Sequence, residues 1–303
     1  MTSVRLAAVQ AAPVFLNLSA SVDKAIALIA EAASSGADVI GFPEGYLPGH
    51  PGWVEFLPFE EQSLLLGKRL FQESLEIPSS NIDRIADAAR ANSISIVMGC
   101  CERISGSTGS LYNTQFFISA DGRYQGKHQK IVPTVGERLF HAPGNTGSGC
   151  AFPAPFGQVS ALICGENSNP LSQYAAIREY PVVHVASWPQ HFSAAVPMQP
   201  TIRLVSAALA YSMKSFVINA VSTVSPEMVA AYGSLPGGEF LSSPLSRGRA
   251  SVVSPTGQML AEAQDDSEQL VYADIDTETV IIPKIVHDYA GHYNRPDLFA
   301  HLF

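Results

Sequence analysis

Short apolar runs bounded by turn residues alternate along the chain with longer stretches whose apolar positions fall three or four apart, the periods of buried strands and of amphipathic helices. Residues 4–10 read as a strand. Residues 19–34, with Val22, Ile26, Ile29 and Ala33 on one face, read as a helix that stops at Gly36. A strand over 38–42 follows, then helical patterns over 59–72 and 82–91, an apolar strand over 94–100, and alternation over 112–119 toward the turn Asp121-Gly122. The second half repeats the unit: strand 159–163, helix 171–179, strand 182–186, helix 202–213 and strand 216–220. Residues 250–254 and 270–275, flanking Pro255-Thr256-Gly257, read as closing strands. Strands that alternate with helices predict an α/β fold. No linker, charge block or low-complexity tract divides the chain, so residues 1–303 are expected to form a single domain.

Composition narrows the function classes. Hydrophobic residues make up 47% and charged residues 15%, as in a well-buried enzyme domain. Eighteen Lys and Arg stand against 27 Asp and Glu, and no basic run interrupts the formal charge of −9, so nucleic acid is not an expected partner. No stretch is long enough for a membrane span, and no secretory signal pattern opens the chain. Four irregularly spaced cysteines suit a reducing compartment and suggest a cytoplasmic protein. Asn17-Leu18-Ser19 matches a glycosylation acceptor, but without an export signal it reads better as a helix cap.

Three predicted strand ends carry chemistry. The run Val159–Ile163 ends in Cys164-Gly165-Glu166-Asn167, placing a thiol at a strand tip before a turn and a helix. The strand ending Gly41-Phe42-Pro43-Glu44 presents a carboxylate, and Gln129-Lys130-Ile131-Val132-Pro133 presents an ammonium before a proline stop. Strand ends of an open α/β sheet converge on the ligand crevice. A free cysteine titrates near 8.5, so a nucleophilic one needs a base or a positive field, and these segments carry one of each. Taken singly, each residue reads as well as a buried thiol or a solvated charge. Cys100, Cys101 and Cys150 read as structural. The histidines form no clustered ligand motif, and His128 and His141 read as packing or surface residues before site residues.

Together with Ala7-Ala8-Val9-Gln10-Ala11, Phe42-Pro43-Glu44-Gly45-Tyr46-Leu47-Pro48-Gly49, Lys130-Ile131-Val132-Pro133-Thr134-Val135-Gly136-Glu137-Arg138, Leu162-Ile163-Cys164-Gly165-Glu166-Asn167, Ser187-Trp188-Pro189, Ser254-Pro255-Thr256-Gly257 and the segment from Gly291 to Phe299, these ends resemble the nitrilase superfamily of carbon-nitrogen hydrolases over nearly the whole chain. The resemblance implies a four-layer α-β-β-α sandwich. It also implies a catalytic set of Glu44 as base, Lys130 as cation, Cys164 as nucleophile and Glu137 as a carboxylate that orients Lys130. Gly165 through its amide, and Trp188, Pro189, His191, Tyr46 and Trp53 as pocket walls, are the expected substrate-binding residues. No metal or organic cofactor is expected. The family commonly forms dimers and spirals, so a homodimer or larger homo-oligomer is expected, with residues 280–303 as a tail engaged in its contacts.

Glu166, Asn167 and the C-terminal motif are similar to the nitrilase branch, which implies hydrolysis of a small-molecule nitrile by water to a carboxylic acid and ammonia. Gly165 departs from the Trp that many nitrilases carry there. The alternatives are an amidase of the same superfamily, a nitrile or cyanide hydratase-like outcome that releases amide, and an inactive assembly subunit, against which the intact Glu44, Lys130 and Cys164 speak.

Overall fold

The computed structural model describes residues 3–56, 61–144 and 150–302. The chain opens with β1 (Ser3–Gln10), α1 (Leu18–Ser34) and β2 (Val39–Gly41), then α2 (Glu61–Glu73), α3 (Ser80–Asn92), β3 (Ser95–Arg103), β4 (Leu111–Ile118) and β5 (Tyr124–Gln129). It continues with β6 (Ala151–Ala154), β7 (Gly157–Ile163), α4 (Pro170–Ile177), β8 (Pro181–Trp188), α5 (Met198–Met213), β9 (Phe216–Val221) and α6 (Pro226–Tyr232). It closes with β10 (Ser251–Val253), β11 (Met259–Glu262), β12 (Gln269–Asp276) and α7 (Ile281–Val286). Asn17 does cap α1, its side chain accepting from the Ala20 amide at 3.0 Å.

One half of the strands runs β5-β4-β3-β2-β1, with β12 antiparallel on β1, and the other runs β6-β7-β8-β9, with β10 and β11 beyond β9. The ladder passes between the halves through the single pair Gln10–Val221. Side-chain alternation shows how they stack. On β1, Leu6 and Ala8 face a core shared with Val183, Val185 and Ile218 of the other half, whereas Ala7 and Val9 face the core formed with Val22, Ala25 and Ile29 of α1 and Ile85 and Ala89 of α3. The rings of Phe117 on β4 and Phe152 on β6 stack between the halves, with centroids 5.1 Å apart. Ile202, Leu209, Ala210 and Met213 of α5 cover the second half from outside. The result is four layers, helix, sheet, sheet and helix, as the resemblance implied.

The differences from the sequence reading have physical reasons. The strand β5 (Tyr-Gln-Gly-Lys-His-Gln) carries no apolar alternation because it is an edge strand whose ladder bonds, not burial, define it. β6 includes Pro153, which an edge tolerates and a pattern search rejects. α6, β11 and α7 are too short, or too exposed, for periodicity to register. The helix expected over 59–72 is α2; its first expected turn, 59–60, lies outside the described residues.

The two sheets approach each other tightly at Gly41. A Cβ there would stand 2.7 Å from Val185 Cγ1 and 3.1 Å from Ile218 Cγ2 of the facing sheet. Both are β-branched side chains locked in the core, so Gly41→Ala is expected to cost about 1–3 kcal/mol by overpacking. A lowered unfolding midpoint in a thermal or denaturant melt checks this; an unchanged midpoint would mean that the sheets slide freely at this point.

Candidate active site

Three strand ends meet where the two sheets face each other. Beyond β2 the chain reaches Glu44, whose amide donates to the Trp188 carbonyl of the opposite sheet at 3.2 Å. Phe42, two residues earlier, is bonded on both sides: its amide donates to Val97 at 2.9 Å, and its carbonyl accepts from the Ser187 hydroxyl at 2.7 Å. Lys130 follows β5, with its amide donating to Asn113 on β4 at 2.8 Å. Cys164 follows β7 as the first residue of a 3₁₀ turn, Cys164–Ser168, with φ of 50°. A non-glycine residue in the left-handed region costs on the order of 1–3 kcal/mol and persists only where its surroundings hold it.

Two side chains hold it. Asn167 donates to the carbonyls of Leu162 (3.1 Å) and Cys164 (3.0 Å), and its Oδ1 meets His184 Nε2 at 2.9 Å. Glu166 accepts from the Ile163 amide at 3.0 Å and from the Ile131 amide at 2.9 Å, so one carboxylate ties the cysteine turn to the segment that carries Lys130. His128 donates to the same Glu166 at 2.8 Å.

The Lys130 ammonium lies 2.8 Å from Glu44 Oε1 and 2.5 Å from Glu137 Oε2, and all three side chains are buried. Asn113 Nδ2 donates to Glu44 Oε1 at 2.7 Å and to Glu137 Oε1 at 2.8 Å, and His141 Nδ1 donates to Glu137 Oε1 at 3.2 Å. The second oxygen of Glu44, Oε2, has no hydrogen-bond partner among the described residues. Burial raises the Glu44 pKa, with the Glu137 charge adding to it and Lys130 opposing. Burial also works against ionised Glu137, but Lys130, His141 and His50 outweigh it and hold that carboxyl well below its usual range. The two acids are thereby split: Glu137 stays charged and Glu44 is the one able to take a proton. Burial tends to neutralise Lys130, yet Glu44, Glu137 and Cys164 hold it firmly as the cation. Cys164 rests as a thiol, its pKa pushed well up by burial and Glu44, with Lys130 and the Gly165 amide favouring the thiolate.

Cys164, Glu44 and Glu137 line one cavity of about 250 Å³. Val135, Pro189, Phe192 and Val196 give it an apolar side, and His50, His191 and Glu55 a polar one. Burial lowers His50 to about 3 and His191 to about 4, so both imidazoles are neutral. Of the expected pocket residues, Pro189 and His191 are on this wall. Gly165 lines a neighbouring groove with Ile131 and Arg138 rather than this cavity, while its amide hydrogen-bonds the Cys164 sulfur. Trp188 sits behind the wall, its indole N–H donating to Asn219 at 2.9 Å and its ring edge-on to Phe192. Tyr46 packs on Phe42 in the core beneath α1 and α3, and Trp53 packs among Phe15, Phe140 and Tyr232. Neither Tyr46 nor Trp53 reaches the cavity, because each ring is spent filling a core.

The sequence reading passed over Asn113 and Glu55, reached His50 only through the Tyr46 to Trp53 loop it took as a pocket wall, and gave His141 a packing or surface role. Asn113 had a readable signal, a polar side chain inside the otherwise apolar β4, where a buried amide needs partners. The ligand atoms of Glu44, His50 and Glu137 lie within 4.8 Å of one another, a spacing that suits a metal ion. The Lys130 ammonium, however, already contacts both carboxylates and fills the position a cation would take.

The sequence profile of the carbon-nitrogen hydrolase family matches residues 5–281. A nitrilase of Pseudomonas syringae pv. syringae (strain B728a) is 35% identical over 99% of this chain and 89% of its own length. An aliphatic nitrilase of Rhodococcus rhodochrous is 34% identical over 98% and 81%. Saccharomyces cerevisiae Nit3, a member of branch 10 of the nitrilase superfamily, superposes with a TM-score of 0.71 at 18% identity, covering 94% of each chain, which supports the shared fold. With strand-end carboxylate, ammonium and thiol gathered in a four-layer sandwich and the family profile spanning nearly its whole length, this chain belongs to the carbon-nitrogen hydrolase family.

Proposed function

We propose that the protein is a nitrilase in which Cys164 attacks the nitrile carbon, Glu44 moves the protons and Lys130 stabilises charge at the nitrogen. The observation that carries this reading is the Lys130 ammonium clamped by Glu44 and Glu137, which line one cavity with Cys164, with Glu44 Oε2 unpartnered among the described residues and open to a proton. The nitrilases among its relatives support the choice of substrate.

A nitrile carbon is a weak electrophile and calls for a soft nucleophile. Glu44 accepts the thiol proton as the sulfur bonds to carbon, and protonation of the nitrogen gives a thioimidate. Lys130 and the Gly165 amide bear on the charge that develops; one such donor is worth roughly 3–4 kcal/mol in the transition state. Water, deprotonated by Glu44, adds to the thioimidate. The C–N bond then breaks, ammonia leaves and an acyl thioester remains. A second water cleaves the thioester, restoring the thiol and releasing the carboxylic acid. Glu137 stays ionised throughout and keeps Lys130 charged and in place. Release of thiolate instead of ammonia from the tetrahedral adduct would give the amide.

Mass-spectrometric product analysis over aliphatic and aromatic nitriles and their amides tests the reading. The expected result is carboxylate from nitriles, lost in Cys164→Ala. Turnover of amides alone would assign an amidase, and amide as sole nitrile product a hydratase. Because the reaction needs Glu44 as carboxylate, activity falls as pH drops through its pKa. That pKa is raised, so the acid limb of kcat/KM is expected above the ordinary carboxylate value of about 4.5. Glu137→Gln removes a charge that raises Glu44 and is expected to move the limb lower while reducing kcat. Lys130→Met leaves two buried carboxylates facing each other without a cation; activity is expected to vanish and stability to fall by about 3–5 kcal/mol in denaturant melts.

A further inference from the structure

The cavity has more acid than its chemistry uses. Glu55, the last residue of the short 3₁₀ turn Gly52–Glu55, lines the same cavity as Cys164, Glu44 and Glu137. It has no hydrogen bond or ion pair among the described residues, although it is only partly exposed. Burial raises its pKa, and the charges of Glu137 and Glu44 push the same way, against Lys130. Counting the lining residues and their direct bonding partners, three carboxylates (Glu44, Glu55 and Glu137) stand against one ammonium (Lys130), because His50 and His191 are neutral. His50 adds a second unmet group: it is 6% exposed, it lines the cavity, and its Nδ1 is without a hydrogen-bond partner.

A partly desolvated carboxylate with no partner is unfavourable until a cation or a strong donor meets it. Glu44 and Glu137 already share Lys130 and Asn113, so Glu55 is the acid left over for the ligand. Val135, Phe192 and Val196, which line the same cavity, suit a short hydrocarbon spacer. We propose that Glu55 selects the substrate: the site is built for small nitriles that carry a protonated amine, with the nitrile carbon at Cys164 and the ammonium at Glu55. The cavity of about 250 Å³ limits such a substrate to a short aliphatic chain. The net charge of −9 further enriches cations around the protein.

This inference rests on the nitrilase reading, and the experiment separates the two. The purified full-length protein is assayed at neutral pH with 4-aminobutyronitrile and its uncharged isostere valeronitrile, and with the two corresponding amides. The wild type is expected to favour the cationic nitrile by at least ten-fold in kcat/KM, and Glu55→Gln to lower that cationic-to-neutral ratio at least ten-fold. A wild-type ratio near one overturns the proposal. So does a ratio that Glu55→Gln leaves unmoved while both rates fall, which would make Glu55 a support of its own turn. If only amides are turned over, the nitrilase reading fails, and the same ratio measured on the amides decides the role of Glu55. Calorimetric binding of the two nitriles to Cys164→Ala, with Glu55 intact, needs neither turnover nor a folded Glu55 variant: at least ten-fold tighter binding of the amine supports the proposal, and equal binding sinks it.

Discussion

The site depends on one buried ammonium. Glu44 and Glu137 can lie this close, away from water, only because Lys130 stands between them and Asn113 donates to both. Burial gives Glu44 its appetite for a proton, and the excess negative charge left by the second acid around the one cation adds to it while Lys130 opposes. The structure assigns the excess by geometry: Glu137 also receives His141 and keeps its charge, whereas Glu44 leaves one oxygen unpartnered. Glu44 is thus a stronger base than a surface carboxylate, as abstraction from a buried thiol requires.

Backbone strain appears at the same place. Cys164 and Val135 both carry positive φ, 50° and 40°, and both line the cavity. For Val135, a β-branched residue, this conformation is a rare one. Each is held by bonds from its own turn. Thr134 and Glu137 cap the turn around Val135, while Glu166 and Asn167 fix the one that starts at Cys164. Glu137 therefore serves twice, as Lys130's partner and as acceptor of the Thr134 amide at 2.7 Å. The chemistry and the loop geometry share a side chain.

Much of this was legible in the sequence, for reasons that differ by element. The buried strands β1, β3, β7 and β8 and the helices α1 and α5 announced themselves because burial writes a period into the residues. β5 did not, since an edge strand is fixed by ladder bonds that leave no apolar trace. Glu44 and Cys164 at strand ends were readable from the break between an apolar run and a turn, and Lys130 from the apolar step and proline that follow it. The pocket walls were not. Trp53 and Tyr46 are large rings near the motifs, and only the three-dimensional packing shows that they fill cores while the smaller Val135, Pro189 and Val196 face the cavity. Asn113 left one trace, a polar side chain within an apolar strand, and Glu55, at the end of a 3₁₀ turn, left none.

Among the described residues the sheets share only the Gln10–Val221 ladder pair. Glu44 and Lys130 extend from one sheet and Cys164 from the other, so the proposed base and the proposed nucleophile are mounted on separate plates. Their alignment is set by interdigitated side chains, by the Glu44-to-Trp188 backbone bond and by the hydroxyl of Ser187, which donates to Phe42 and accepts from Gln115 at 2.6 Å. A shear of one plate over the other would leave every strand paired and every helix formed, yet part the thiol from its proton acceptor. Under the proposed roles of these residues, catalytic competence is a property of inter-sheet registry, more fragile than the secondary structure on either side of it.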